Sequence, residues 1–386
     1  MTPGARVAAA ISILDDIRDG EAAEQALTAW ARASRFAGSK DRAAVRDHIF
    51  DVLRARRSLG DGTGRELMMR LVQRDGLGVD ALFSGEGHAP APLTHDERAE
   101  LDVPTSLSPE AMCDLPDWLW PHWQESLGLD AEPAALAQQA RADVFLRVNQ
   151  KRGLVQDAMD LLAKDGVATL RHPQIEGCLR VADNPRRVKS SAAFTDGYVE
   201  LQDASSQFAI HAVTIPDGAR VLDYCAGGGG KALGFADRSD AAVFAHDIAP
   251  ARMKDLPERA GRAKVAIAQV ATDDLFDAAP FDVVFCDAPC SGSGTWRRTP
   301  DAKWRLNQER LDTLNAMQAE VIASAAPLVA EHGLLAYATC SVLASENDAI
   351  VDAFCAANPE WRSEARHQLI PGPDGDGFYL NLLRKI

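Results

Sequence analysis

Long apolar runs are missing from this 386-residue chain. No stretch of 18 or more apolar residues occurs, which excludes a membrane-spanning helix. Basic charge is also in short supply: 41 Lys and Arg stand against 56 Asp and Glu, a net −15. Whole-chain electrostatics therefore do not advertise a nucleic-acid binder. Cysteine is sparse and odd in number, seven residues without any Cys-x-x-Cys pair. Cys286 and Cys290 have no second pair to complete a zinc site, so no metal is expected. The cysteines read as reduced thiols in a cytoplasm. The opening MTPGARVAAAISILDD holds one Arg, and Asp15 and Asp16 cut its apolar run short, unlike a signal peptide. Internal repeats and low-complexity tracts are absent.

What is present is ordinary globular composition, 46% hydrophobic and 25% charged, enough for two or three domains. Charge is unevenly placed. Residues 1–74 carry 13 basic and 10 acidic side chains, 75–140 carry 1 and 13, and 141–189 carry 10 and 6. That basic–acidic–basic alternation is compatible with local contact to a polyanion, and equally with surface drift. The first third reads as helices. Val7, Ala10, Ile11, Leu14 and Ile17 share one helical face, as do Val45, Ile49, Val52 and Leu53, with Ser39 and Asp41 as caps. Residues 60–110 read as loops and a linker with one short helix at 65–73. Three of the seven tryptophans crowd into PDWLWPHWQESL (116–127), which predicts a helix docking by its aromatics.

From about residue 140 the pattern changes. VFLRVN reads as a strand, Gly153 to Asp165 as a helix and ATLRHP as a strand. From 219 onward, ARVLDY, AVFAHD, KVAIAQ, FDVVFCD and GLLAYAT are short apolar runs separated by helices or loops, the longest at about 307–331. Buried strands joined by helices predict an α/β fold, a mainly parallel sheet with helices on both faces.

Ligands bind off the carboxyl ends of such strands, beside the switch point. The loop after the first of them is Asp223-Tyr-Cys-Ala-Gly-Gly-Gly-Gly-Lys231. Its glycines allow a close backbone approach to a ligand, and the helix that follows offers free N–H groups. It fails as a phosphate-cradling loop, because Cys225 replaces the first required glycine and Ala232 the Ser or Thr. Asp247, at the end of the next strand, is placed to accept the two hydroxyls of a ribose. A nucleoside-containing cofactor follows. The fourth strand then runs into Asp287-Ala-Pro-Cys-Ser-Gly-Ser-Gly294 and the fifth into Tyr337-Ala-Thr-Cys-Ser341. Cys290 and Cys340 thus sit at strand mouths among small polar residues, where a cysteine is better placed as a nucleophile than as core.

VLDYCAGGGGK, AHD, FDVVFCDAPCSGSGTWRRTPDAKW and YATCS together resemble the core motifs of the RsmB-like (Sun family) RNA cytosine-C5 methyltransferases, which use S-adenosylmethionine. LRVN and ELQDASSQ match too, so the resemblance covers about 140–386. Residues 1–130 are similar to the NusB-like RNA-binding domain that precedes the catalytic part in that family. The resemblance implies three domains: a helical one at 1–130, a small α+β one at 131–205 and a Rossmann-like methyltransferase domain at 206–386. It implies that Cys340 attacks carbon 6 of cytosine, that Cys290 assists release of the product, and that Asp287 hydrogen-bonds the base edge. Cys225, Ala226, Gly227, Gly228, Gly229, Gly230 and Lys231 would wrap the methionine part of the cofactor, Asp287 would border it and Asp247 would hold its ribose. Asp273, with Asp274 as rival, would reach the adenine. Lys231 has a second available direction, towards Asp287. Arg297 and Arg298, in a segment that also holds Lys303 and Trp304, would contact RNA, as would Arg147 and Asn149. One departure from the family pattern is Gly228, where the usual loop has proline; the exchange predicts a floppier loop and weaker cofactor affinity.

Ribosomal RNA of the small subunit is the expected substrate, with transfer RNA as the alternative. A DNA cytosine methyltransferase would use Cys290 as the attacker and leave Cys340 idle. A non-catalytic assembly factor would have lost Asp287, Cys290 or Cys340, and none is lost. A monomer without metal or membrane partners completes the expectation.

Overall fold

The computed structural model describes residues 1–102 and 107–386. The chain forms two compact units, each discontinuous in sequence. The first is built from residues 1–124, 131–141 and 296–305; the second from 125–130, 142–295 and 306–386. Residues 131–141 and the later stretch 296–305 thus belong to the first unit.

The first unit contains α1 (Pro3–Arg18), α2 (Ala23–Ala33), α3 (Ser39–Arg54) and α4 (Gly64–Arg74). The Thr2 hydroxyl accepts from the Ala5 amide ahead of Pro3, which caps α1. Val7, Ala10 and Leu14 of α1 are buried with Val45, Ile49, Val52 and Leu53 of α3, the two faces expected. Ile11 and Ile17 pack only partly buried. Asp41 accepts from the Gly38 amide (3.2 Å), so Gly38 is the cap and Ser39 opens the helix. The short helix expected at 65–73 is α4, whose Leu67, Met68, Leu71 and Val72 enter the core, and residues 60–110 hold further short helices at Val79–Leu82 and His95–Leu101. Trp123, in the helix Trp120–Leu127, is fully buried and stacks on Trp296 at 5.8 Å, while its indole N–H donates to the Ala131 carbonyl at 2.7 Å. That is the aromatic docking expected of this segment.

The second unit opens with β1 (Phe145–Val148), α5 (Val155–Lys164), β2 (Thr169–Arg171), β3 (Cys178–Val181) and β4 (Val199–Leu201). These strands form an antiparallel sheet in the order β2-β3-β1-β4. There follow β5 (Arg220–Asp223), α6 (Gly230–Arg238), β6 (Ala242–Ala245), α7 (Leu256–Ala263), β7 (Ala268–Gln269), β8 (Phe281–Asp287), α8 (Gln308–Ala325), β9 (Val329–Thr339), α9 (Asp348–Ala357), β10 (Trp361–Leu369) and β11 (Phe378–Lys385). The sheet order is β10-β11-β9-β8-β5-β6-β7. Strands β7 to β9 in this order pair in parallel, and the terminal hairpin β10–β11 adds to β9 antiparallel. Val283 and Phe285 of β8 enter one apolar cluster, Phe281, Val284 and Cys286 the other, as a strand covered on both faces requires. The chain leaves β5 towards β6 and β7, then returns to place β8 on the other side. A crevice therefore opens at the carboxyl ends of β5 and β8. Among the described residues, no helix is long and apolar enough to cross a membrane.

Candidate active site

β5 ends on Asp223, which is buried. Its Oδ2 accepts from the Ala232 amide in the first turn of α6 at 2.9 Å. Its Oδ1 is buried with no hydrogen-bond donor among the described residues. Burial pushes this carboxyl up to about 7. Between strand and helix the backbone must turn sharply, with Gly227 at φ +51° and Gly229 at φ +79°. A Cβ at Gly229 would lie 2.3 Å from Leu256 Cδ1, so only glycine fits there. β6 leads to Asp247, whose carboxylate accepts from the amides of Gly227 and Ala249, each at 2.9 Å, and pairs with Arg252 Nη1 at 3.0 Å. Burial pushes the Cys225 thiol well above its usual range.

The two strands beyond carry the reactive groups. β8 and β9 run parallel with Asp287 opposite Ala338, which brings Cys290 and Cys340 to one mouth. Their sulfurs lie 3.4 Å apart, and both side chains are part exposed. The Cys290 thiol is raised well above the usual value, first by its hydrogen bond to Cys340 and then by burial. Lys231 Nζ donates to Asp287 Oδ2 at 2.5 Å and lies 5.2 Å from the centre of the Phe378 ring. Burial alone would lower the ammonium, but the charge and hydrogen bond of Asp287 outweigh it and hold it raised. Lys231 thus takes the second of its two directions, towards the aspartate. Cys286 is buried near the end of β8, as core. Asp273 and Asp274 are exposed on a turn after β7.

The basic residues are placed differently from expectation. Arg147 is 5% exposed: its Nε donates to the buried Asp237 at 2.8 Å and its Nη1 to the Gly230 carbonyl at 2.9 Å. Asn149 is buried, donating to the Gly197 and Ala263 carbonyls and accepting from the Lys151 amide. Arg297 is buried in the helical unit, its amide donating to Gln138 Oε1 and its carbonyl accepting from Arg54 Nε. Lys303 is buried too, its ammonium pushed down to about 8 by burial, and the Trp304 indole donates to the Leu53 carbonyl. Arg147, Asn149 and Arg297, expected to contact RNA, are thus enclosed by protein. Arg298 is part exposed.

Sequence reasoning passed over a cationic cleft in the helical unit. A cavity of about 730 Å³ between α2 and α3 is lined by Trp30, Arg32, Arg35, Arg42 and Arg46. Phe36 beside them in sequence is 77% exposed. Arg46 pairs with Glu24 and Arg42 donates to the Ala37 carbonyl, while Arg32, Arg35 and Lys40 are exposed to solvent. From 25 to 46 there are five cations and one acid, Asp41, which is itself bound by Arg6. That local run was the available signal. It was hidden by averaging over residues 1–74.

A family model described as the 16S rRNA methyltransferase RsmB/F matches residues 211–383, and the ferredoxin-like domain of the RsmF/B methyltransferases matches 115–188. The chain is 32% identical over 286 residues to a ribosomal RNA small subunit methyltransferase B of Serratia proteamaculans, covering 70% of this chain and 66% of that protein. It thus spans about two thirds of the length of that curated relative. The crystal structure of PH0851 superimposes with a TM-score of 0.75 at 21% identity, over 100% of this chain and 99% of that one. A methyltransferase homologue from Pyrococcus horikoshii gives 0.62 at 22% identity, over 72% and 98%. At such identities these two structures speak for the fold alone.

Proposed function

The chain belongs to the RsmB/F methyltransferase family, and from that premise we propose that it is an S-adenosylmethionine-dependent RNA cytosine-C5 methyltransferase acting on small-subunit ribosomal RNA. The observation that carries the reading is the thiol pair, 3.4 Å apart, at the mouth shared by Asp287 and Lys231. A DNA-type enzyme has work for one of these cysteines only.

The residues present fit the cofactor. The unsatisfied Asp223 Oδ1 calls for a donor such as an α-ammonium group. The glycine loop carries no side chains of its own from Gly227 to Gly230, and Asp247, which accepts from the Gly227 amide, lies beside it to meet a ribose. Asp273 or Asp274 would reach the adenine. When bound, S-adenosylmethionine supplies an electrophilic methyl group for carbon 5 of the base.

The protein does the rest. Carbon 5 of cytosine is a poor nucleophile until Cys340 Sγ adds to carbon 6 and pushes electron density onto the ring. Asp287 hydrogen-bonds the N3 and amino edge, stabilising the charge that develops there, and Lys231 fixes the direction in which that carboxylate faces. Cys290, hydrogen-bonded to Cys340, assists its expulsion: a base takes the carbon-5 proton, the freed electron pair restores the ring double bond, and the bond from carbon 6 to sulfur breaks to return Cys340 as a thiolate. The target base leaves any stack to reach these sulfurs. The α2–α3 cleft supports the RNA half of the reading: exposed arginines meet phosphates, and Phe36 offers a stacking face.

The test is transfer of labelled methyl from S-adenosylmethionine to unmodified small-subunit ribosomal RNA, with the product digested to nucleosides. Label in 5-methylcytosine is expected for wild type and none for Cys340→Ala. Cys290→Ala should accumulate a protein–RNA adduct that survives denaturation. Label in another nucleoside, or normal turnover by Cys290→Ala, would overturn the assignment. Label that appears only with transfer RNA would move the substrate there.

A further inference from the structure

Glu346 lies in the short turn after the Cys340 loop and is completely buried. Its Oε1 accepts from the Ser291 amide at 2.7 Å and from Gln318 Nε2 at 3.0 Å. Its Oε2 accepts from the hydroxyls of Ser291 and, at 2.5 Å, Ser341. All four donors are uncharged. Enclosing a carboxylate is costly even when it is fully hydrogen-bonded, and a well-packed apolar side chain would serve stability better. The donors themselves indicate a use. Ser291 follows Cys290, and Ser341 follows Cys340.

The bracing extends to the other neighbours of each cysteine. Gln318 Nε2, on α8, also donates to the Pro289 carbonyl at 2.9 Å, just before Cys290. The Thr339 hydroxyl, just before Cys340, donates to Asn347 Oδ1 at 2.6 Å, and Asn347 Nδ2 donates to the Ser341 carbonyl at 3.0 Å. A further bond, Ser293 Oγ to Ser341 Oγ at 2.8 Å, ties the two loops directly. Both flanking residues of both cysteines are therefore fastened to Glu346, its neighbour Asn347 or its partner Gln318.

We propose that Glu346 is a positioning residue that sets the two thiols against one another, joining the Cys290 and Cys340 loops into one rigid unit. The inference rests on the role given above to this cysteine pair. Its charge has a second effect: it adds to the forces that raise the Cys290 thiol. Glu346 thereby keeps Cys290 a hydrogen-bond donor while Cys340 attacks.

Glu346→Gln preserves volume and one acceptor but turns an amide N–H₂ towards groups that are themselves donors. Two measurements separate positioning from mere stability. The first is the pH dependence of iodoacetamide alkylation at Cys290 and Cys340, resolved by mass spectrometry, which needs neither RNA nor turnover. Cys290 is expected to alkylate from a lower pH in the variant. The second is steady-state methyl transfer: kcat should fall by about 10- to 100-fold, the scale of a reacting group misplaced by about 1 Å, with KM for RNA within about twofold of wild type. Ser291→Ala, which removes one donor and leaves the carboxylate, should move both readouts the same way by less, and serves if the glutamine variant does not fold. Alkylation profiles that coincide with wild type in a variant of unchanged Tm would overturn the proposal, as would a raised KM at unchanged kcat. Failure of the role given to the cysteine pair shows elsewhere, as methyl transfer that survives Cys340→Ala.

Discussion

Asp223 shows how far a single carboxyl can depart from ordinary behaviour when the fold encloses it. Its folded value near 7 stands against 3.8 for the free group, because burial disfavours the charge. Between those values the folded protein holds a proton that the unfolded chain has released. Its contribution to stability is therefore full below about pH 4 and is lost as pH rises through about 7. Asp223→Asn, neutral in both states, should remove that slope. The Tm of the variant relative to wild type should climb from about pH 4.5 to about pH 7.5, measured by thermal denaturation across the range. Arg147 makes the opposite point about a charged residue. Arg147→Ala would strand the buried Asp237 and cost about 3–5 kcal/mol of stability, read from denaturant unfolding. RNA affinity, measured where the variant is still folded, should stay within about twofold, since this guanidinium faces protein on all sides.

At the scale of elements, the loop between β5 and α6 is where sequence and structure can be weighed most directly. Gly228 lies outside the left-handed region, its amide donates no backbone bond, and a Cβ there meets only the tip of Arg259 at 3.1 Å. That same arginine donates to the Gly228 carbonyl, which restrains the loop from outside. Gly228→Pro is expected to narrow the unfolded ensemble, with the Arg259 side chain giving way, adding about 0.4–1 kcal/mol and tightening S-adenosylmethionine binding about two- to fivefold by calorimetry. Gly229→Ala, one residue along with φ +79° and Leu256 in the way, should weaken both. The parallel strands were readable because burial on both faces leaves plain apolar runs, and FDVVFCD matches β8 residue for residue. KVAIAQ shrank to the two residues of β7, an edge strand whose side chains are exposed. The terminal hairpin went unread for another reason. Only Trp361, Ala365 and Leu369 of β10 are apolar, so it holds no apolar run, and a register shift between Ser363 and Ala365 interrupts its pairing. β3 and β4, of four and three residues, are too short to show any period at all. In the site, motif spacing located the thiols, Asp287 and the glycine loop. It gave no hint that Glu346 accepts from Ser291, since that bond spans 55 residues and exists only once β8 and β9 are side by side.

For the molecule as a whole, charge is segregated: an acidic chain of net −15 keeps a cationic cleft on its helical unit. Repulsion elsewhere and attraction there would orient a polyanion on approach. Arg32→Glu with Arg35→Glu should weaken RNA binding across sequences and flatten the plot of log K against log salt by about 1.5, as two lost phosphate contacts require. Filter binding at graded salt checks it, with methyl-donor affinity unchanged as the control. The mapping of units onto the chain has a different consequence. After Thr295 the backbone enters the helical unit for ten residues, leaving Trp296 in its core, and re-enters the α/β unit at Leu306. A cut near residue 130 would therefore not yield two modules. The front piece would lack the indole that stacks on Trp123, and the back piece would carry that indole as a bare apolar loop within a few residues of the Cys290 segment. Swapping front units between relatives thus takes several splice points instead of one, and the loop that carries the chemistry has to be inherited together with the helices that receive its continuation.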